Sequence, residues 1–252
     1  DPFTKLSLDK SISQIKSRNI FRSVKPKISD GSSSDLKVID IVVEEKPTGE
    51  ISAGAGVGTD GGSFAINIQE NNWLGQGKKV GFEFSASAES VSGELSYSNP
   101  NYDLLGNSIR YNLYNVTNDK PDQGYENRLF SAGVGTSFEQ YKNIFTNLGL
   151  NISYDDLKTL SNASSSLKKQ SGEFTEISAD YGFRLDLRNR KFMPTDGSIT
   201  GFGQTLPLAA DKPYIGNTFT HSTYHSFSEN LIGAGKLFLS SVHGLDNEDV
   251  RI

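Results

Sequence analysis

The stretch 49–77 constrains the fold of this chain more than any other part of the sequence. Between Ile51 and Val57, apolar residues alternate with serine and glycine, which is the two-residue period of a β-strand. Residues 59–62, Thr-Asp-Gly-Gly, predict a tight hairpin turn because such residues tolerate positive φ angles. The returning strand, 64–69, alternates again. An apolar face opposite a polar or bare face is typical of a strand between lipid and water.

The same alternation recurs along the rest of the chain. Further strands are predicted at 78–89, 91–98, 108–116, 129–138, 144–154, 175–188, 198–205, 218–227 and 232–242. The strand 175–188 is the clearest, with aromatic and aliphatic residues on one face and charged residues or glycine on the other. A soluble core would not accept those charges, so the pattern predicts a polar lumen. We therefore predict a mainly β protein, a transmembrane antiparallel β-barrel with about eleven strands present.

The composition agrees with a β architecture and narrows the function. The 252 residues include 25 glycines, 15 phenylalanines and 10 tyrosines, which favours many strands and turns. A mean hydropathy of −0.44 does not exclude a membrane, since barrel strands need apolar residues only at alternate positions. A net charge of −5 gives no reason to expect a nucleic-acid partner. The absence of cysteine excludes disulfides and cysteine-based metal sites.

The first 47 residues have a different pattern. Residues 9–19 carry Ile12 and Ile15 at helical spacing, and strands are predicted at 24–29 and 36–44 around a loop of turn residues. This αβ segment is small for an independent core, so we expect it to be the C-terminal part of a larger domain. Pro47 cannot donate to a strand ladder, which places the boundary between domains 1–47 and 48–252. The chain begins without Met and ends in mid-pattern, so we expect a fragment whose targeting segment lies upstream.

The predicted links between strands alternate in length. One set is long and polar in several members: 59–62, 89–91, 117–127, 155–173, 207–217 and the tail from 243. The other set is shorter: 71–77, 99–107, 139–143, 189–197 and 228–231. Outer-membrane barrels have short periplasmic turns and longer extracellular loops. The alternation therefore predicts that the second set and the N-terminal segment face the periplasm.

Several short motifs occur in an order that resembles one protein family. They are Phe21-Arg22-Ser23-Val24, Val43-Glu44-Glu45-Lys46-Pro47, Gly54-Ala55-Gly56-Val57-Gly58, Glu70-Asn71-Asn72-Trp73-Leu74-Gly75-Gln76-Gly77, Ser98-Asn99-Pro100-Asn101-Tyr102, Asp186-Leu187-Arg188-Asn189 and Pro194-Thr195-Asp196-Gly197. The ordered set resembles the BamA-type insertases of outer-membrane proteins, also called the bacterial surface antigen family. The family's Val-Arg-Gly-Phe motif does not occur, because Val250-Arg251 is followed by Ile252.

The resemblance implies a fold and a function, which is the assembly and insertion of outer-membrane β-barrel proteins by strand pairing at a weak barrel seam. It implies the end of a periplasmic POTRA domain at 1–47 and, at 48–252, the first two-thirds of an outer-membrane barrel of about sixteen strands. Its partners would be unfolded outer-membrane protein clients, accessory outer-membrane lipoproteins and the lipid bilayer, with no nucleotide or cofactor. The alternatives are a POTRA-barrel translocator for secretion or autotransporter assembly, a passive porin-like channel, and a barrel esterase or phospholipase.

The first barrel strand is the candidate site for client binding. Its glycines weaken a strand interior, so its pairing with a closing strand should be loose. An edge that opens exposes N–H and C=O groups on which an incoming strand can pair. The residues predicted to pair with a client strand are Ile51, Ser52, Ala53, Gly54, Ala55, Gly56 and Val57. Alternatively, the glycines only relieve crowding in a curved barrel.

Other polar residues have weaker functional interpretations. Glu83, Glu94, Arg184, Asp186 and Arg188 could form a lumenal charge network that seats a loop, or could be solvated lumenal charges. Trp73 is predicted to be an interfacial anchor in a periplasmic turn. His221 and His225 lie about 13 Å apart on strand geometry, too far to share a metal ion. We expect no catalytic, cofactor or metal site, and no enzymatic activity.

Overall fold

A helix and a hairpin open the chain. The computed structural model describes residues 4–33, 35–58, 61–103, 105–190, 193–228, 231–245 and 250. Helix α1 (Lys5–Ser17) is followed by strands β1 (Phe21–Asp30) and β2 (Lys37–Glu45), which pair antiparallel. The helix begins before the predicted residue 9 because the Thr4 hydroxyl caps it, accepting a hydrogen bond from Ser7 N at 3.2 Å. Within the described ranges, no helix is long and apolar enough to cross a membrane.

This N-terminal unit has a small core. Leu8 and Ile12 of α1 are buried against Val24 of β1, with Ile15 and Phe21 partly buried around them. Every residue of β2 is exposed, including five branched apolar residues. The helix therefore covers one strand of the hairpin and leaves the other without a packing partner among the described residues.

The remaining strands form one large antiparallel sheet. They are β3 (Gly49–Gly58), β4 (Gly61–Trp73), β5 (Lys78–Ser87), β6 (Ser90–Asn99), β7 (Ser108–Lys120), β8 (Tyr125–Tyr141), β9 (Ile144–Thr159), β10 (Gly172–Asp186), β11 (Gly197–Ala210), β12 (Tyr214–Ser228) and β13 (Leu231–Gly244). A short helix, α2 (Ser165–Lys169), lies between β9 and β10. In the described part of the chain the eleven strands pair in sequence order from β3 to β13, which confirms the predicted strand number. No pairing between β3 and β13 is present there, so the sheet is open.

The two faces of the sheet have opposite polarity. The register places Ile51, Ile68, Phe82, Leu95 and Leu113 in one row across five strands, and all five side chains are exposed. The sheet curls around a concavity of about 1040 Å³ that is lined from β6 to β13, with polar residues such as those at 112, 151 and 180 among its lining. The apolar surface is thus on the outside, which is the reverse of a soluble core.

Three links are shorter than the sequence predicts. The structure leaves 121–124, 160–171 and 211–213 between strands, where links 117–127, 155–173 and 207–217 were expected. Polar residues there extend the sheet, since the Ser90 hydroxyl donates to Asn118 Oδ1 at 2.7 Å and Asn118 Nδ2 to Asn127 Oδ1 at 3.4 Å. The predicted contrast between long and short links is therefore wrong for this set. Residues 59 and 60 of the predicted hairpin turn lie outside the described residues.

Two turns at one end of the sheet are built by side chains. In the turn before β7, Asp103 accepts hydrogen bonds from Leu105 N and from Asn107 N, both at 3.0 Å. The backbone N–H of Asn107 lowers the pKa of the Asp103 carboxyl below its ordinary value. In the turn after β10, Asn189 Nδ2 donates to Thr195 Oγ1 at 2.6 Å, and Asn189 Oδ1 accepts from Thr195 N at 3.2 Å.

Gly197 closes the second turn in a conformation that only glycine adopts without strain. Its φ is +93°, and a Cβ atom there would lie 2.2 Å from the carbonyl oxygen of Leu187. We expect Gly197→Ala to destabilise the sheet by more than the roughly 1–2 kcal/mol that a left-handed alanine costs. Gly106→Ala is the matched control, because Gly106 has φ +81° with no atom within 4 Å of the built Cβ. Thermal unfolding in detergent should separate the two variants, and equal midpoints would contradict the steric argument.

Candidate functional site

Strand β3 is an edge of the large sheet. It pairs with β4 from Gly49 opposite Glu70 to Gly58 opposite Gly61. No described strand pairs with its other edge. All its residues are exposed, and the exposed fraction reaches 76% for Ile51 and 92% for Val57. The structure therefore brings the predicted client-pairing residues together on one strand with an accessible backbone.

The glycines of β3 face open space. A Cβ atom built at Gly54 or Gly58 meets no atom of the described residues within 4 Å, and one at Gly56 lies 3.4 Å from Ser63 Oγ, an ordinary contact. Other glycines of the sheet are crowded, since a Cβ at Gly133 would lie 2.2 Å from Asn151 Oδ1. Among the described residues, crowding therefore does not require glycine at 54 or 58. The consequence of these glycines is a strand with little side-chain contact.

Side-chain hydrogen bonds also distinguish the β3–β4 pair from the other pairs of strands. In the part of the chain that the structure describes, no side-chain hydrogen bond joins a residue of β3 to a residue of β4. Each of the other nine pairs of neighbouring strands has at least one. These bonds join Asn67 with Glu83, Ser85 with Ser92, Ser90 with Asn118, Asn118 with Asn127, Asn127 with Asp155, Asn151 with Asp180, Tyr181 with Gln204, Gln204 with Asn217 and Asn217 with Ser241.

The strongest contrast to β3 lies at the other end of the sheet. Tyr181 Oη donates to Gln204 Oε1 at 2.7 Å, and Gln204 Nε2 donates to Asn217 Oδ1 at 2.5 Å. Asn217 Nδ2 then donates to Ser241 Oγ at 3.4 Å, so a single chain of side chains links β10 to β13. These residues share one row with Leu148 on the apolar face of the sheet. Such bonds resist separation of strands in an apolar medium.

The predicted lumenal charges lie at several places among the described residues, and their joining in one network stays a prediction. Glu83 lies opposite Glu94 in the β5–β6 pair, and both line a concavity of about 440 Å³ together with Ser52 and Gly54 of β3. Arg184 stacks 4.8 Å above the ring of Phe145. The structure thus gives separate groups, and the seating of a loop by any of them stays a prediction.

Asp186 and Arg188 do pair, but at the end of β10. The guanidinium of Arg188 donates from Nε to Asp186 Oδ1 at 2.8 Å and from Nη2 to Asp186 Oδ2 at 2.7 Å. Arg188 lies beyond the strand, in the turn, rather than within a strand over 175–188 as predicted. Arg188 lies between two backbone bonds that lead into the turn, Leu187 N to Ser198 O at 2.8 Å and Asn189 N to Asp196 O at 3.1 Å.

Trp73, His221 and His225 lie on strands of the large sheet, and the contacts described for the two histidines are with neighbouring side chains. Trp73 is the last residue of β4 and its side chain is 46% exposed, while its role as an interfacial anchor stays a prediction. His221 Nδ1 lies 2.9 Å from Thr200 Oγ1, and the ring of His225 meets Phe227 edge-on at 5.0 Å. Among the described residues, no group of three or more His, Cys, Asp or Glu could hold a metal ion.

One set of contacts was missed by sequence reasoning. Glu70 accepts a hydrogen bond from the hydroxyl of Thr48, the residue before β3, and another from Asn72 N at 2.7 Å. Asn71 N and Asn71 Nδ2 both donate to Thr48 O, at 3.3 and 3.2 Å. Glu70, Asn71 and Asn72 begin the Glu-Asn-Asn-Trp motif, which was a signal in the sequence. The periodicity of the strands does not predict that they bond to Thr48.

The strands pair in sequence order in one antiparallel sheet that is apolar outside and polar inside. A sheet of this kind is typical of the class of outer-membrane β-barrel proteins. The chain belongs to the Omp85 superfamily, whose domain matches residues 72–252.

Relatives in this family are distant and longer. The Sorting and assembly machinery component 50 homolog of Bos taurus is 28% identical over 151 residues, which is 60% of this chain and 32% of that protein. Outer membrane protein assembly factor BamA of Neorickettsia risticii is 20% identical over 219 residues, 83% of this chain and 30% of that protein. The chain therefore spans about a third of the length of these relatives.

A solved structure shares the fold. The crystal structure of BamA from Haemophilus ducreyi lacking POTRA domains 1–3 matches with a TM-score of 0.68 and 20% sequence identity. The match covers 97% of this chain and 50% of that chain. The large sheet of the present protein is thus the same kind of sheet as the wall of that barrel.

The weakness of β3 predicts a measurable gain on filling its open positions. Gly54→Thr places a β-branched side chain where no atom lies within 4 Å and removes the entropy of an unfolded glycine. We expect slower amide exchange throughout the β3–β4 hairpin in lipid nanodiscs, by about fivefold for roughly 1 kcal/mol. The control is Gly93→Thr on β6, where the nearest atom to the built Cβ is 4.0 Å away. Unchanged exchange in Gly54→Thr would contradict the interpretation of β3 as a weak strand.

Proposed function

We propose that this protein is an outer-membrane β-barrel assembly factor in which β3 pairs with the strand of an incoming client. The observation that carries the proposal is that no side-chain hydrogen bond joins β3 to β4 in the described residues, whereas every other pair of neighbouring strands there has one. Its ten residues also match the roughly 9–11 residues that a strand needs to cross a bilayer.

The mechanism follows from the energetics of a strand edge in lipid. Unpaired N–H and C=O groups cost several kcal/mol each in hydrocarbon, so the free edge of β3 needs a partner strand. Any extended segment can supply the same backbone ladder, because main-chain groups carry no sequence information. A client strand can therefore replace a weakly bound closing strand with little net change in free energy. No nucleotide or other cofactor is required for this exchange.

The rest of the architecture is assigned by the same proposal. Residues 1–47 would be the C-terminal part of a POTRA-like periplasmic domain, and 48–252 part of a closed barrel of about sixteen strands. The turns between β4 and β5, β6 and β7, and β10 and β11 would face the periplasm with the N-terminal unit. The partners would be unfolded outer-membrane protein clients, accessory outer-membrane lipoproteins and the bilayer, with no nucleic acid. Trp73 would anchor the periplasmic rim.

The relatives support assembly as the activity. Their names describe sorting and assembly machinery and an outer-membrane protein assembly factor. Membership of the superfamily and the shared fold do not by themselves separate assembly from translocation for secretion. The weak edge does favour assembly over a passive channel, because a channel gains nothing from a strand that can open.

Disulfide capture tests the proposal directly. Cysteine is placed in turn at each position from Ser52 to Gly58 of the full-length protein in its membrane, against a cysteine series in the C-terminal strand of a stalled client barrel. The present chain contains no cysteine, so its residues give no background. We expect crosslinks that follow one antiparallel register along β3, because a paired strand aligns each position with a single partner.

Three other results would contradict assembly by pairing on β3. Crosslinks without a common register would indicate collisions instead of a strand pair. Crosslinks to a secreted polypeptide in transit, with none to a barrel strand, would indicate a translocator. No crosslinks together with steady ion conductance in planar bilayers would indicate a passive channel.

A further inference from the structure

The base of β3 is fixed by one carboxylate. Glu70 lies directly opposite Gly49, and a Cβ atom at Gly49 would be 3.0 Å from Glu70 Oε2. The carboxylate thus lies over the first residue of β3, and a side chain there would have to displace it by a few tenths of an ångström. Its Oε1 atom accepts from the Thr48 hydroxyl and from Asn72 N, which ties the residue before β3 to the end of β4.

The same carboxylate is held by a rigid turn. The pairing of β4 with β5 is irregular between Glu70 and Trp73, and Asn71 N bonds to Thr48 O instead. Asn72 Oδ1 accepts from Gly77 N at 2.7 Å, and Asn72 O accepts from Gly75 N at 2.8 Å. The turn therefore has its own hydrogen bonds, and Glu70 is presented from a fixed support.

The end of the N-terminal unit has its own hydrogen bonds and lies beside the same turn. Lys46 N donates to Ile20 O at 3.2 Å, and Lys46 Nζ donates to Asn19 Oδ1 at 2.7 Å. Arg18 Nη1 lies 3.5 Å from the position of a Cβ on Gly77, the last residue of the turn. The segment that enters β3 is thus fixed both by the unit before it and by the turn beside it.

The two ends of β3 therefore differ. At the Gly49 end, Glu70 and Asn71 provide side-chain bonds to Thr48, and charge-assisted bonds are stronger than neutral ones. From Ile51 to Gly58, the described residues give β3 only the backbone ladder and small side chains. At the Gly58 end a link of two residues joins β3 covalently to β4, so Gly49 is the end at which the hairpin would open without these side-chain bonds.

We propose that Glu70 is the positioning residue of β3: it holds the Gly49 end, which is the open end of the β3–β4 hairpin, so that β3 meets a client in one fixed register. This inference rests on the proposed function of β3 in client pairing. Without the anchor, the Gly49 end could separate from β4, and a client could pair in a register shifted by two residues, the smallest slip that keeps the same side chains on the lipid face. Glu70 does not contact the client in this scheme, and it acts through Thr48.

The test repeats the β3–client disulfide scan in Glu70 variants of the full-length protein. In Glu70→Ala we expect the wild-type register to lose about tenfold in crosslinking relative to registers shifted by two residues, the effect of losing a hydrogen bond to a charged group. Glu70→Gln should restore the wild-type register, since its amide oxygen can still accept from Thr48 and Asn72. Gly49→Val should reproduce the alanine result by displacing the carboxylate.

The control is Glu126→Ala on β8, which removes a carboxylate paired with Arg128 of the same strand. It should leave the register unchanged. If Glu70→Ala keeps a single wild-type register, the positioning role is wrong while client pairing by β3 stands. If the wild-type protein itself gives no register, the proposed function fails before Glu70 is considered.

Amide exchange gives an independent measurement if Glu70→Ala assembles poorly. In the wild-type protein in nanodiscs, exchange at the Gly49 end of β3 should be no faster than at the Gly58 end, because side-chain bonds hold the first and the hairpin link holds the second. Glu70→Ala should raise exchange at the Gly49 end and leave the Gly58 end unchanged. Faster exchange at the Gly49 end of the wild-type protein, or unchanged exchange there in Glu70→Ala, would overturn the inference.

Discussion

Backbone hydrogen bonding in a medium without water is the constraint on which this structure depends. Every N–H and C=O group of a strand in lipid needs a partner within the sheet, which is why eleven sequential strands pair with their neighbours throughout the described part of the chain. The constraint is least well satisfied at an edge. Strand β3 is such an edge, and its functional interpretation follows from that position more than from any individual side chain.

Side-chain hydrogen bonds make some pairs of strands in the sheet harder to separate than others. Hydrogen bonds between side chains, as in the row Tyr181, Gln204, Asn217 and Ser241, are costly to break in an apolar medium. Strands β10 to β13 are therefore held together both by the backbone ladder and by side chains. Among the described residues, strand β3 has only the backbone ladder between Ile51 and Gly58. An assembly factor needs this asymmetry, because a wall that opened everywhere would unfold and a wall that opened nowhere could not pair with a client.

Hydrogen-bonded turns fix the ends of the strands, including the start of the weakly bonded strand β3. The turn after β4 and the turn after β10 are closed by asparagine side chains and by glycines with positive φ, so the neighbouring strands have fixed ends. Glu70 uses the first of these turns to fix the start of β3. A strand that is weakly bonded along its length but fixed at both ends can change its partner on the other edge without losing its place in the sheet.

The sequence by itself determined the strand number, the polarity of the two faces and the edge strand rich in glycine. These follow from a period of two residues, which is a property of neighbouring positions and therefore local. Only the tertiary structure decided which links are short, because polar residues such as Asn118 and Asn127 extend strands by bonding across them. It also decided that Arg188 lies in a turn and that Glu70 contacts Thr48, since these contacts depend on register and turn geometry. Pairing joins residues far apart in the chain, and periodicity carries no information about which of them meet.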